Sequence, residues 1–314
     1  MFHVLHGHLG EGEGSGHVSD GLGRNVGGVL LKTPVMAASG TFGYGTEVPL
    51  CDRSLLGGMV SKGIFLKPRP GTPPPRIVET PSGMLNSIGL QGPGVEALIR
   101  DYAPLWATWD FPVLVNVNGE SVEEYGELAA RLDGVAGVAG LEVNISCPNV
   151  REGGMFFGNN PSGAAAVTAA VRSRTSLPVW VKLTPAVSDI ASIARACEEA
   201  GADALSAVNT FVGMSFDLRT GRPRLAFGTG GLSGPAIRPL AVHLAHQAAR
   251  AVSIPVVGIG GISSAADAME FLLAGCRAVQ VGTATFVDPN AIGKIVAGLE
   301  ALKPAGFQAA AGRR

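Results

Sequence analysis

The segment PVLVNVNG at Pro112–Gly119, read with LEVNISC at Leu141–Cys147 and PVWVKLTP at Pro178–Pro185, decides the fold of this chain. Each is a short, nearly all-apolar, β-branched run bounded by Gly, Pro or Asn, the pattern of a strand buried on both faces. Five more runs share it: PVMAAS from Pro34, MVSKGI from Met59, ALSAVNT from Ala204, PVVGIGGI from Pro255 and AVQVGTA from Ala278. Alanine-rich stretches of helical period follow them. Ser121 and Glu124 have capping-box spacing before one such stretch, and Ser188 or Asp189 can cap another that ends at Gly201. Strands alternating with helices pair in parallel through right-handed crossovers, and eight such units close a (β/α)8 barrel. We therefore expect an α/β TIM barrel, a single domain over residues 23–304, with a Gly/His-rich extension at 1–22 and a tail at 305–314. A doubly wound Rossmann sheet is the second choice, because no GxGxxG follows the first strand with an acidic residue about twenty positions later.

Composition agrees with a large buried core: 314 residues, 46% hydrophobic and 16% charged. A net charge of -1, with no basic stripe interleaved with aromatics, argues against a nucleic-acid partner. There is no basic segment leading into an apolar one at the N-terminus and no run of about 18 apolar residues, so a cytoplasmic protein is expected. The four cysteines, Cys51, Cys147, Cys197 and Cys276, form no CxxC pair, so neither a metal nor an iron–sulfur cluster is expected on this chain. Cys197 and Cys276 read as packing residues. His3, His6, His8 and His17 sit among glycines and acids in a segment that reads as solvated, and no function is assigned to them.

Candidate chemistry gathers at one end of the strands. Three long connections, residues 65–92, 148–161 and 211–234, follow strand ends, on the side where barrels place their sites, and read as lids or binding loops. The glycine turns GIGG at Gly258–Gly261 and VGTA at Val281–Ala284 end the seventh and eighth runs, where freed backbone N–H groups can hold a phosphate-bearing cofactor. Strand alternation puts Asn116 with Asn118, Asn144 with Ser146, and Trp180 with Lys182 on common faces. Burying Lys62, Asn116, Asn144, Lys182 and Asn209 together needs a polar ligand, since a satisfied structural network is a strained account of all five. Cys147 lies where the chain leaves a strand ahead of a proline; it is either a reactive thiol or a small buried hydrophobe.

These residues also carry a resemblance. AASGTFGYG at Ala37–Gly45, SKG at Ser61–Gly63, TPSGMLNSIGLQGPG from Thr80, VNISCPN from Val143, VKLTP from Val181, NT at Asn209, GGLSGPAI from Gly230, GIGG and VGTA together resemble dihydroorotate dehydrogenase. With cysteine at the presumed base position, the chain is similar to the soluble class, and within it to the catalytic subunit of the NAD-linked type.

The resemblance implies FMN-dependent oxidation of dihydroorotate to orotate in pyrimidine (UMP) biosynthesis, with no metal. Cys147 would be the general base, and an ordinary thiol pKa of about 8.5 would make activity rise toward mildly alkaline pH. Lys182 would stand near flavin N1 and stabilise the charge of the reduced ring, with no acidic partner beside it. Lys62 would bridge flavin and the substrate carboxylate. Asn86, the backbone through Ser87, Ile88, Gly89 and Leu90, and Asn144, Asn209 and Thr210 would read the substrate ring. Ser39, Gly63, Asn116, Asn144 and Val208 would line the flavin, while Gly234, Gly260, Gly261, Gly282 and Thr283 would hold its ribityl chain and phosphate. One departure is Asn118, where the family leads us to expect a smaller residue.

The implied assembly is a homodimer core with a partner subunit carrying FAD and a [2Fe–2S] cluster that passes electrons to NAD. The other readings are a fumarate-linked homodimeric dihydroorotate dehydrogenase, a dihydropyrimidine dehydrogenase, a non-redox phosphate-binding barrel using Lys182, and a non-catalytic flavin-binding subunit.

Overall fold

The computed structural model describes residues 23–47, 52–146, 148–149 and 155–302. The expected extension at 1–22, the tail at 305–314, and Cys51 and Cys147 lie outside the described residues.

All eight apolar runs are strands: β1 (Val35–Ala37), β2 (Gly58–Val60), β3 (Val113–Val117), β4 (Gly140–Asn144), β5 (Val179–Lys182), β6 (Ala204–Ala207), β7 (Val256–Ile259) and β8 (Ala278–Val281). They pair in parallel in chain order and close when β8 meets β1, with Val279 opposite Val35 and Gln280 opposite Met36. Every residue of β3, β4 and β5 is buried, because helices cover the outer face and side chains fill the inner one. Helix Val122–Leu132 starts as its sequence indicated, with Ser121 Oγ accepting from the Glu124 N–H at 3.3 Å. Of the two candidate caps before Ile190–Glu199, Asp189 serves, accepting from the N–H groups of Ala191 and Ser192. That helix buries Ile190, Ile193, Ala194 and Cys197, a stripe at helical spacing.

The two ends of the barrel differ. The N-terminal end is plugged by a hairpin, Arg24–Val26 against Val29–Leu31, whose Val26, Val29 and Leu31 pack on Met36, Val60, Leu114 and Trp180. Trp180 shares the inward face with Lys182 but lies in this lower, apolar layer, and its Nε1 donates to the Gly27 carbonyl at 3.3 Å.

At the C-terminal end, all three long connections contain short strands, Pro148–Asn149 pairing with Met155–Phe156 in one of them. Ile77–Thr80 and Gly83–Asn86, from the connection after β2, join Phe211–Met214 and Thr229–Ser233, from the connection after β6, in a four-stranded antiparallel sheet beside the barrel mouth. Strands this short, one of them reading TGGLS, have no alternating pattern to reveal them. What makes them strands is pairing between segments about 145 residues apart, such as Gly231 with Asn86.

Candidate active site

A cavity of about 1220 Å³ opens at this end of the barrel. Ligand cavities usually measure about 300–1,000 Å³, so there is space for more than one small molecule. Its floor is the upper inward layer of the strands, built by simple alternation: Asn116 on β3, Asn144 on β4 and Lys182 on β5. Lys182 is almost fully buried. Its Nζ donates to Ser39 Oγ at 2.8 Å and stands 3.4 Å from Glu142 Oε1.

This corrects the expectation that no acidic group would accompany Lys182. An ammonium buried inside a closed barrel needs a counter-charge, and β4 supplies it two residues before Asn144, on the same face. Glu142 is fully buried and its oxygens are well used. Oε1 accepts from Asn116 Nδ2 at 2.9 Å; Oε2 accepts from Ser206 Oγ at 2.8 Å and Gln280 Nε2 at 2.7 Å.

A ladder of amides leads upward from this carboxylate. Asn118 Nδ2 donates to Asn116 Oδ1 at 2.9 Å, Asn144 Nδ2 to Asn118 Oδ1 at 2.7 Å, and Asn209 Nδ2 to Asn144 Oδ1 at 3.1 Å. Asn118, the departure noted in the sequence, is therefore the middle rung, and it is fully buried. Gly63 is what lets it fit. A Cβ at that position would fall on Asn118 Nδ2 and lie 2.9 Å from Asn116 Oδ1. Tyr125 Oη fixes the ladder from the helix layer by donating to the Asn144 carbonyl at 2.6 Å.

The walls bring the other expected residues to the same cavity. Ser39 follows β1, and Lys62 and Gly63 follow β2. Burial lowers the pKa of the half-buried Lys62 ammonium; Glu47 acts to raise it and Arg76 to lower it. Asn86 through Leu90 line the side formed by the added sheet, where Asn86 Nδ2 donates to the Gly231 carbonyl at 3.2 Å. Val208, Asn209 and Thr210 complete the rim after β6, the Asn209 Oδ1 accepting from the Thr210 N–H at 2.8 Å.

At the far end stand Gly234, Gly260, Gly261, Gly282 and Thr283. Gly261 has φ +73°, and a Cβ there would lie 2.8 Å from the Gly234 carbonyl oxygen, so the turn admits only glycine. A Cβ on Gly282 would meet only Ala38 and Thr41, at 3.6 Å, which is ordinary contact. What the missing side chain does there is keep the cavity clear.

The model of the dihydroorotate dehydrogenase family matches residues 22–302. The chain belongs to the dihydroorotate dehydrogenase family. It is 55% identical over 276 residues to "Dihydroorotate dehydrogenase B (NAD(+)), catalytic subunit" of Geobacter sp. (strain M21), which covers 88% of this chain and 90% of that protein. It is 56% identical over 277 residues to the protein of the same name from Pelobacter propionicus, covering 88% and 91%.

For this dihydroorotate dehydrogenase family member, every residue nominated from sequence lines the one cavity except Cys147, which lies outside the described residues. Sequence reasoning missed Glu142, Ser206 and Gln280. Glu142 had a signal, its place in phase with Asn144. Ser206 and Gln280 had the same inward phase, but nothing local tied them to a carboxylate on another strand. Among the described residues no helix is long and apolar enough to cross a membrane. Cys197 and Cys276 are packing residues, and burial pushes both thiols up to about 12.

Proposed function

We propose that the chain is the FMN-binding catalytic subunit of an NAD-linked dihydroorotate dehydrogenase, oxidising dihydroorotate to orotate for pyrimidine synthesis. The observation that carries the reading is one cavity with a buried ammonium, Lys182, at its floor and obligate-glycine turns at its far end. The residues present fit FMN. Gly260, Gly261, Gly282 and Thr283 would hold the phosphate, Gly234 the ribityl chain, and Ser39, Gly63, Asn116 and Val208 would flank the ring system. Bound FMN supplies the two-electron acceptor for the hydrogen leaving one ring carbon of the substrate.

The chain's own groups do the rest. Cys147 takes the proton from the neighbouring carbon; Asn144 and Ser146, just before it, line the cavity. Loss of that proton and of a hydrogen with its electron pair leaves the carbon–carbon double bond of orotate. Lys182 favours negative charge at the floor. Lys62 offers a cation to the substrate carboxylate. Asn86, Asn144, Asn209 and Thr210, with the backbone of Ser87, Ile88, Gly89 and Leu90, offer both donors and acceptors to its amide edge.

Electrons leave through a partner. The relatives' name, a catalytic subunit, fits a separate electron-transfer subunit, which we take to carry FAD and a [2Fe–2S] cluster beside a homodimer of this chain. The buried thiols of Cys197 and Cys276 are poor cluster ligands. The test is an acceptor assay on protein isolated with its partner. Dihydroorotate should yield NADH with the partner and none without it. Reduction of fumarate by the chain alone would select the homodimeric alternative, and turnover of dihydrouracil would select the dihydropyrimidine one.

A further inference from the structure

Glu142 has no role in the reading above, yet the barrel interior is arranged around it. Four groups from four other strands converge on its two oxygens: Asn116, Lys182, Ser206 and Gln280. Gln280 turns its amide nitrogen to the carboxylate and leaves its own Oε1 buried without a donor among the described residues. A buried polar atom is seldom left unpaired, so keeping Glu142 fully donated takes precedence here over satisfying Gln280.

Lys182 is held by the same arrangement. Its Nζ donates to Ser39 Oγ at 2.8 Å and stands 3.4 Å from Glu142 Oε1 as an ion pair, which leaves donor capacity on the ammonium for a group bound in the cavity that Lys182 lines.

We propose that Glu142 is a positioning residue: it aims Lys182 into the cavity and, by countering part of its charge, sets how readily the bound flavin holds two electrons. The proposal rests on the flavin reading. The ammonium lies between the carboxylate and the cavity, so the net field there stays positive, but weaker than an unpaired lysine would give. In a low-dielectric interior that difference is not screened. Glutamine at 142 keeps an oxygen for the donors and removes the charge, so reduced flavin should be favoured. Alanine at Ser206 removes a donor from Oε2 and leaves more of the carboxylate charge expressed, so reduced flavin should be disfavoured. A merely structural role would not move the two variants in opposite directions.

The experiment is an equilibrium dye titration of the flavin midpoint potential in FMN-loaded parent, Glu142→Gln and Ser206→Ala proteins, with FMN affinity measured on each by fluorescence quenching. For Glu142→Gln the two-electron equilibrium constant should shift toward reduced flavin at least tenfold, which is 29.6 mV for a two-electron couple. For Ser206→Ala it should shift at least twofold the other way. Potentials unchanged within twofold, or moved in the same direction, overturn the proposal while leaving the flavin reading intact. If Glu142→Gln does not fold, the sign of the Ser206→Ala shift decides alone. A parent protein that binds no FMN overturns the flavin reading, and this proposal with it.

Discussion

Gly63→Ala is the smallest change that should break the amide ladder. The new Cβ would fall on Asn118 Nδ2, and it would lie 2.9 Å from Asn116 Oδ1. A side-chain end can usually swing aside, but Asn118 is fully buried and engaged on both sides, by Asn116 at 2.9 Å and Asn144 at 2.7 Å. Overpacking of one methyl group costs about 1–3 kcal/mol. Leaving one buried partner of the ladder unsatisfied costs about 1–3 kcal/mol more. The sum, roughly 2–6 kcal/mol, is a large share of the about 5–15 kcal/mol by which a domain is stable. Urea melts of the apoprotein, for the parent, Gly63→Ala, Asn118→Ala and the double variant, measure it. In the Asn118→Ala background the added Cβ no longer falls on the amide nitrogen and meets only Asn116 Oδ1, at 2.9 Å, so its cost should drop by at least about 1 kcal/mol, a coupling well inside the range for residues in contact. A Gly63→Ala cost within about 0.5 kcal/mol of the parent, or an equal cost in both backgrounds, would refute the close approach inferred here.

Lys182→Met should slow flavin reduction by dihydroorotate by about 10²–10³-fold in stopped-flow absorbance, the usual loss when one transition-state donor is removed. It should also destabilise the apoprotein by about 3–5 kcal/mol, since the buried Glu142 carboxylate loses its counter-charge. Gly261→Ala forces a side chain into φ +73° and against the Gly234 carbonyl oxygen at 2.8 Å, so FMN should bind at least about tenfold more weakly, about 1.4 kcal/mol by isothermal titration. The thiols of Cys197 and Cys276 are raised by burial to about 12, so the folded protein keeps their protons where the unfolded chain, with ordinary thiols near 9.0, has begun to lose them. Their contribution to stability is therefore full below about pH 9 and is lost as pH climbs toward about 12, at up to about 1.4 kcal/mol per pH unit for each thiol. A Cys197→Ala, Cys276→Ala double variant should show a shallower alkaline decline in urea melts across that window, and native protein at pH 8 should leave both thiols unmodified by an aromatic disulfide reagent.

The barrel was legible because burial on both faces writes itself into a strand as an unbroken apolar run, and because glycine and proline punctuate each run. The cavity wall was legible for a related reason: Lys182, Asn116 and Asn144 are conspicuous exactly where an apolar residue would fill a barrel. What those groups pair with was not. Closure of the barrel brings residues 116, 142, 206 and 280 to one point, and no window along the chain contains that neighbourhood. Glu142 was readable as inward-facing from its phase with Asn144, but its ion pair with Lys182 depends on the stagger of β4 against β5, with Lys182 opposite Asn144. The sheet beside the mouth and the hairpin that plugs the base were hidden because pairing, not intrinsic propensity, makes such short strands.

The most direct measurement is an anaerobic titration of the FMN-loaded chain with dihydroorotate, following flavin absorbance and orotate together. One equivalent should bleach one flavin and release one orotate, while Cys147→Ala should bind dihydroorotate and leave the flavin oxidised. Flavin that stays oxidised in the parent protein with dihydroorotate bound would contradict the assignment of this cavity as a dehydrogenase site.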